Sequence, residues 1–215
     1  MVKLDLLMNE PSSLALFSDR TVDYANYRPD YPAEALDAIL AGLGEANKLI
    51  IADIGAGTGI AARQLAARGA TVIAIEPNQQ MRNAATPHPR VEFSNGTAEN
   101  TGLADNSVDL VTCFMSFHWF SSIATLSEFD RILKPSGRLA VVWILRSMED
   151  DFSKNYNQII ENASKYCLQI GTREQVRSIA ASSLFTEVKQ REFPHYQRLD
   201  RAGLIGLARS QGYLY

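Results

Sequence analysis

The sequence predicts a doubly wound α/β sandwich on a mostly parallel sheet, and three observations carry that prediction. Continuous apolar runs, among them residues 49–54 (LIIADI) and Thr71–Ile75, suit strands buried on both faces. Amphipathic stretches separate these runs, and strands alternating with helices pair in parallel through right-handed crossovers. A glycine-rich turn, residues 55–59, joins the first run to the helix after it, where open α/β sheets hold ligands beyond the carboxyl ends of their strands. With 215 residues, one domain with additions is expected rather than two. Residues 1–18 are read as a leader. Within 19–215, residues 19–45 give an entry segment and first helix, 46–145 the core, and 146–215 closing helices with a sixth strand.

Pro32 opens a helix whose apolar residues Leu36, Ile39, Leu40 and Leu43 recur at i, i+3, i+4 and i+7, and Gly42 and Gly44 close it. Residues 60–67 form a short helix stopped by Gly69. Asn78 caps a helix running through 81–85, and Val91–Ser94 is a third strand. Residues 107–114 give a fourth strand and 122–133 a helix ended by Pro135 and Gly137. Residues 138–145 are a fifth, strongly β-prone strand. In residues 151–167 the period places Phe152, Tyr156, Ile159, Ile160, Ala163 and Cys167 on one helical face. Thr172 caps a helix to Ser182, residues 187–193 look like a sixth strand, and Asp200 caps a last helix toward Tyr215. The loops after Ile54, Ile75, Ser94 and Phe114 should share one cleft.

Composition narrows the function. Basic residues number 21 against 24 acidic, a net charge of -3, so no basic excess marks a nucleic-acid backbone binder. No apolar run approaches the roughly 18 residues of a membrane span. Residues 1–7 lack the pattern of an export signal. Cys113 and Cys167 are the two cysteines, too few for a zinc cluster, and no metal is expected. The chain reads as reducing and cytoplasmic, so the triplets at Asn95 and Asn162 that resemble glycosylation acceptors are put down to chance.

The sharpest motif is Asp53-Ile54-Gly55-Ala56-Gly57-Thr58-Gly59. Bare backbone there can approach a ligand while helix N–H groups meet a negative group. Gly55 suits the tight turn, Gly57 the close approach and Gly59 the packing of helix on strand. Glu76 ends the next strand, where a carboxylate accepts from both ribose hydroxyls of a nucleoside. A dinucleotide fingerprint wants Gly-x-Gly-x-x-Gly; Gly-x-Gly-x-Gly favours S-adenosylmethionine (SAM). Glu76 also repels a 2′-phosphate.

The chain resembles the class I SAM-dependent methyltransferases, specifically the methyltransferase type 11 group, and looks closest to relatives of the trans-aconitate methyltransferases. The resemblance rests on YANYRPDYP (24–32), ADIGAGTG (52–59), IEPNQQM (75–81), NGTAE (95–99), VDLVTCFMSFHWF (108–120) and ILKPSGRLAVVW (132–143). It implies a Rossmann-like sheet, SAM as cofactor and S-adenosyl-L-homocysteine as product. It also implies that Gly55, Ala56 and Gly57 line the methionine part, with Asp53 orienting the loop. Glu76 would hold the ribose, Pro77 and Met81 would flank the adenine, and Thr97, Ala98 and Glu99 would face its rim. Many relatives carry an aspartate in place of Thr97. Cys113 and Phe114 would sit under the sulfonium.

Methyl transfer from a sulfonium is an in-line displacement, so the protein mainly aligns the reactants and excludes water. A small-molecule acceptor fits best, an O- or C-nucleophile with a carboxylate among the candidates. The Asp/Asn-Pro-Pro-aromatic segment of enzymes that methylate adenine or glutamine amines is missing after the fourth strand. His118 is the base candidate for an acceptor that arrives protonated, against a structural role. The resemblance makes Tyr24, Tyr27, Arg28 and Tyr31 a lid; Tyr24, Arg28, Met115, His118, Trp119 and Trp143 are the substrate-side residues. Where relatives often carry glutamine and asparagine this chain has Met115 and Ile144, so a trans-aconitate substrate is not inherited. A second copy of the chain is the candidate protein partner. Only six strand candidates precede Tyr215, so a shortened chain lacking the final antiparallel strand is expected, with an uncovered sheet edge. A non-catalytic SAM-binding module and an NAD-dependent oxidoreductase remain as alternatives.

Overall fold

The structure, a computed structural model, describes residues 21–120, 123–163 and 172–210. The leader, Cys167 and the end of the last helix lie outside the described residues. In chain order the elements are α1 (Thr21–Tyr27), α2 (Ala33–Leu40), β1 (Ile50–Ile54), α3 (Ile60–Ala66), β2 (Thr71–Ile75), α4 (Gln79–Asn83) and β3 (Val91–Ser94). Then come β4 (Val108–Phe114), α5 (Ile123–Ile132), β5 (Leu133–Val142), α6 (Asp151–Ala163), α7 (Thr172–Ala181) and α8 (Arg201–Arg209). The strands form one sheet in the order β3-β2-β1-β4-β5, and every pairing is parallel. The chain leaves β1 toward β2 and β3, then crosses to β4 on the other side, so the topological switch lies between β1 and β4.

Alternation along the central strands sorts the core into two layers. On one face Ile51, Val72 and Leu110 meet Leu36 of α2 and Ala61, Ala62 and Leu65 of α3; the alanines let α3 approach the sheet closely. On the other, Ala52, Ile54, Val111 and Cys113 meet Leu126, Phe129 and Ile132 of α5. Phe129 is fully buried, and its truncation to alanine would cost about 3–5 kcal/mol. Capping follows expectation: Asn78 Oδ1 accepts from the Gln80 and Met81 N–H groups at 2.9 and 3.3 Å. Asp200 Oδ1 accepts from Gly203 N–H at 2.7 Å.

Four expectations need correction. Helix α5 ends at Ile132, before Pro135, and β5 starts at once at Leu133 and stops at Val142. Its early start rests on pairing of Val108 with Leu133, followed by a register shift before Leu110, with Ser136 at φ 68°. Helix α6 buries only Ile160 fully of its expected face, while Phe152 and Ile159 stay more than 60% exposed. Residues 187–193 form no strand. They hold only Val188 and Phe193 as apolar residues, which a strand would place on opposite faces, and Glu187 pairs with Lys189 at 2.7 Å. Finally, residues 21–27, expected only as a lid segment, are the helix α1. Among the described residues no strand covers the outer edge of β5.

Candidate functional site: a crevice at the switch point

The turn after β1 holds Gly55, Gly57 and Gly59 at φ of +67°, +58° and +75°, a region L-residues avoid. Gly55 and Ala56 N–H groups donate to Ile75 O at 2.9 and 3.1 Å, tying the turn to the end of β2. A Cβ at Gly55 would lie 2.7 Å from Ser116 Cβ, and one at Gly59 2.7 Å from Phe93 Cζ. Those two glycines serve packing. Gly57 differs, because its nearest neighbour would be the Tyr24 ring at 3.6 Å.

Glu76, at the end of β2, is 8% exposed. Its Oε2 accepts from Gly57 N–H and its Oε1 from Asn78 N–H, both at 2.8 Å. Burial raises its pKa, while the bonds from Asn78 and Gly57 pull it back. A carboxylate offers about four lone-pair sites, so two remain for a ligand's hydroxyls. Arg82 Nη1 donates to Glu76 O at 2.5 Å and fixes the main chain behind it. The loops after Ile54, Ile75, Ser94 and Phe114 do meet: Glu76 N–H donates to Ser94 O at 3.1 Å, and Ser116 Oγ to Ile54 O at 2.7 Å.

Asp53 is buried under this crevice. Thr112 Oγ1 donates to its Oδ1 at 2.8 Å, and its Oδ2 has no hydrogen-bond partner among the described residues. Burial pushes its pKa up to about 7, against the Thr112 bond, with the Glu76 charge adding to the rise. Asp53 therefore makes no hydrogen bond to the glycine turn it was expected to orient. Above it, burial raises the Tyr24 phenol, on which Arg28, Glu76 and Asp53 all act electrostatically. The Arg28 guanidinium lies 4.9 Å from the Tyr24 ring centroid, its Nη2 donates to Ser210 O at 3.1 Å, and its Nε is buried without a hydrogen-bond acceptor among the described residues.

The adenine-side expectations fare unevenly. Pro77 is half-buried and Met81 is buried on α4. Thr97 Oγ1 is engaged in its own turn, accepting from Asn100 N–H at 3.2 Å. Glu99 Oε1 accepts from Thr125 Oγ1 at 3.1 Å; Thr97 and Glu99 are both exposed, and one such contact each leaves hydrogen-bonding capacity for an adenine rim. Ala98 and Cys113 are packed in the α5-side core with Phe117 and Leu126. Phe114 instead faces Tyr31, ring centroids 4.5 Å apart. Strand alternation thus turns the Cys113 thiol to the layer opposite Phe114.

On the substrate side, Tyr24, Arg28, Asp53, Phe114, Met115 and Trp143 line one broad groove that continues along the uncovered edge of β5. Trp143 Nε1 is buried without a partner among the described residues, and Met115 Sδ accepts from Ile144 N–H at 2.9 Å. His118 and Trp119 do not line this groove. They sit on the turn Phe117–Trp119, whose Phe117 is sunk into the core edge-on to Trp143. His118 Nδ1 is buried and unpartnered among the described residues. Burial, then the Arg28 charge, lowers its pKa to about 4. Sequence reasoning missed Thr112 and Ser116, small polar residues whose partners lie 59 and 62 positions away, so no local pattern marks them.

Residues 52–141 match a family model described as a methyltransferase domain. An uncharacterized methyltransferase of Mycobacterium bovis is 31% identical over 192 residues, covering 88% of this chain and 74% of that one. The chain belongs to the SAM-dependent methyltransferases. A further methyltransferase relative, from Schizosaccharomyces pombe, is 31% identical across 82% of this chain and 70% of its own length. Among solved structures, a protein of Anabaena variabilis assigned as a methyltransferase of an antibiotic biosynthesis pathway superposes with a TM-score of 0.56 at 31% identity. That match covers 76% of this chain and 63% of the other, so this methyltransferase spans under two thirds of that solved chain. Phosphoethanolamine N-methyltransferase 2 of Haemonchus contortus shares the fold, with a TM-score of 0.52 at 20% identity over 78% of this chain and 40% of its own. No described helix is long and apolar enough to cross a membrane.

Proposed function

We propose that this protein transfers the methyl group of SAM to a small-molecule acceptor by in-line displacement. The observation that carries the reading is the buried Glu76 carboxylate, 2.8 Å from the Gly57 N–H at the switch point, with lone pairs left for a ribose diol. Buried atoms beside it that have no hydrogen-bond partner among the described residues fit the amino-acid end of the same cofactor. Asp53 Oδ2 suits an ammonium and Arg28 Nε a carboxylate, and both groups act on Tyr24. When bound, the sulfonium supplies the methyl and the leaving group.

The chain's residues then bind, orient and exclude water. Phe114, Met115 and Trp143 give the groove an apolar wall, and Arg28 places a cation beside Tyr24. That lining favours an O- or C-nucleophile on a compact organic molecule, with a carboxylate suited to Arg28. With a pKa of about 4, His118 is neutral at pH 7 and a weak base. Its Nδ1 is buried and His118 lies off the groove, which favours the structural role over contact with an acceptor. The test is a screen of small hydroxyl, carboxylate and activated-carbon acceptors with SAM labelled in the methyl group. Label transferred to a small acceptor supports the reading; SAM binding without transfer to any acceptor moves the protein to the non-catalytic class.

A further inference from the structure

Helix α8 lies far from the chemistry in sequence yet touches the residues that close the crevice. Gly206, buried on α8, has no side chain where the Tyr27 ring of α1 packs: a Cβ there would fall inside the ring's van der Waals envelope, 2.6 Å even from its Cγ. Two hydrogen bonds hold the same junction. Gln197 Nε2 donates to Tyr27 O at 3.0 Å, and Arg28 Nη2 donates to Ser210 O at 3.1 Å. From there the contacts run inward, since Arg28 lies over the Tyr24 ring and that ring lies against Gly57.

We infer that Gly206 is a positioning residue for the cofactor crevice: its bare backbone seats Tyr27, and α8 thereby sets the height of Tyr24 above the Gly57 turn. Most helix positions favour alanine over glycine, so a glycine facing an aromatic ring inside α8 runs against local propensity. The ring is what the gap accommodates. A methyl group there would displace Tyr27, and with it the start of the segment 24–28, because packed interiors move as units rather than compress. The inference rests on the SAM reading above.

The test is calorimetric titration of SAM into the native chain and into Gly206→Ala, Gly203→Ala, Tyr27→Ala and the Gly206→Ala/Tyr27→Ala pair, with melting temperatures alongside. Gly203 is a matched control, because its neighbours are Leu199 and Asp200 rather than α1. Gly206→Ala is expected to weaken SAM about tenfold and also to lower the melting temperature, because the methyl overpacks against the Tyr27 ring, whereas Gly203→Ala keeps SAM affinity within about twofold of the native chain. In the Tyr27→Ala background the Gly206 substitution should cost less than about twofold, a coupling that a general effect on the helix would not show. If Gly206→Ala does not fold, Gln197→Ala reads the same junction from an exposed residue, with an expected loss of about threefold. Native affinity in the folded Gly206 variant, an equal cost in both Tyr27 backgrounds, or native affinity in Gln197→Ala where that variant is used, overturns the inference. A native chain that does not bind SAM overturns the functional reading, and this one with it.

Discussion

Replacing Glu76 by alanine separates two roles that one carboxylate performs. In the free protein its oxygens accept from Gly57 and Asn78 N–H groups, each at 2.8 Å. Truncation leaves both donors without their acceptor in a site only 8% exposed. An unsatisfied buried group costs about 1–3 kcal/mol, but the space left by the side chain admits water, and the lost desolvation of a carboxylate whose pKa burial raises offsets part. A net destabilisation of roughly 1–3 kcal/mol is therefore expected, small enough to leave the sheet folded. The ligand cost is separate. Losing two charge-assisted bonds to a ribose diol should weaken SAM by about 1–3 kcal/mol, roughly 5- to 150-fold. Thermal unfolding reads the first number and calorimetry with SAM the second. A folded Glu76→Ala variant that binds SAM like the native chain would refute the ribose assignment.

Gly57→Ala and Gly59→Ala should part company. Both place a side chain at positive φ, costing about 1 kcal/mol, but only Gly59→Ala drives a methyl to 2.7 Å from Phe93, for a total of roughly 2–4 kcal/mol. The larger fall in melting temperature belongs to Gly59→Ala, and for its stability cost Gly57→Ala loses the more SAM affinity. Asp53, raised from 3.8 to about 7 by burial, contributes stability while protonated and loses it as pH rises between those values, by at most on the order of 4 kcal/mol. Asp53→Asn should flatten the stability profile across that window; parallel profiles would contradict the assignment. His118, lowered from 6.5 to about 4, stays neutral in the fold. Stability should fall as pH drops from 6.5 toward 4, and NMR should show its imidazole still neutral at pH 5.5.

Where short apolar runs alternate with helices the sequence was legible, because burial on both faces leaves few options for Thr71–Ile75 or Val91–Ser94. The Asn78 and Asp200 caps were readable for a local reason, a side-chain acceptor two or three residues from its donor. The C-terminal third was not. Residues 187–193 bring only Val188 and Phe193 as apolar side chains, too few to bury a strand face, and α6 has an apolar stripe with only Ile160 buried. In the crevice, Gly57 and Glu76 stood out through motif and spacing. Cys113 and Phe114 were grouped although adjacent strand residues face opposite layers. Thr112, Ser116 and Gly206 depend on partners that only the tertiary fold brings near.

The central claim is that the Gly57–Glu76 crevice holds SAM rather than a dinucleotide. Titrating SAM, S-adenosyl-L-homocysteine and NAD separately into the native chain tests it most directly. Saturable binding of SAM and its demethylated product, competitive with one another, with no heat from NAD, is the predicted result; NAD binding in the absence of SAM binding would contradict it.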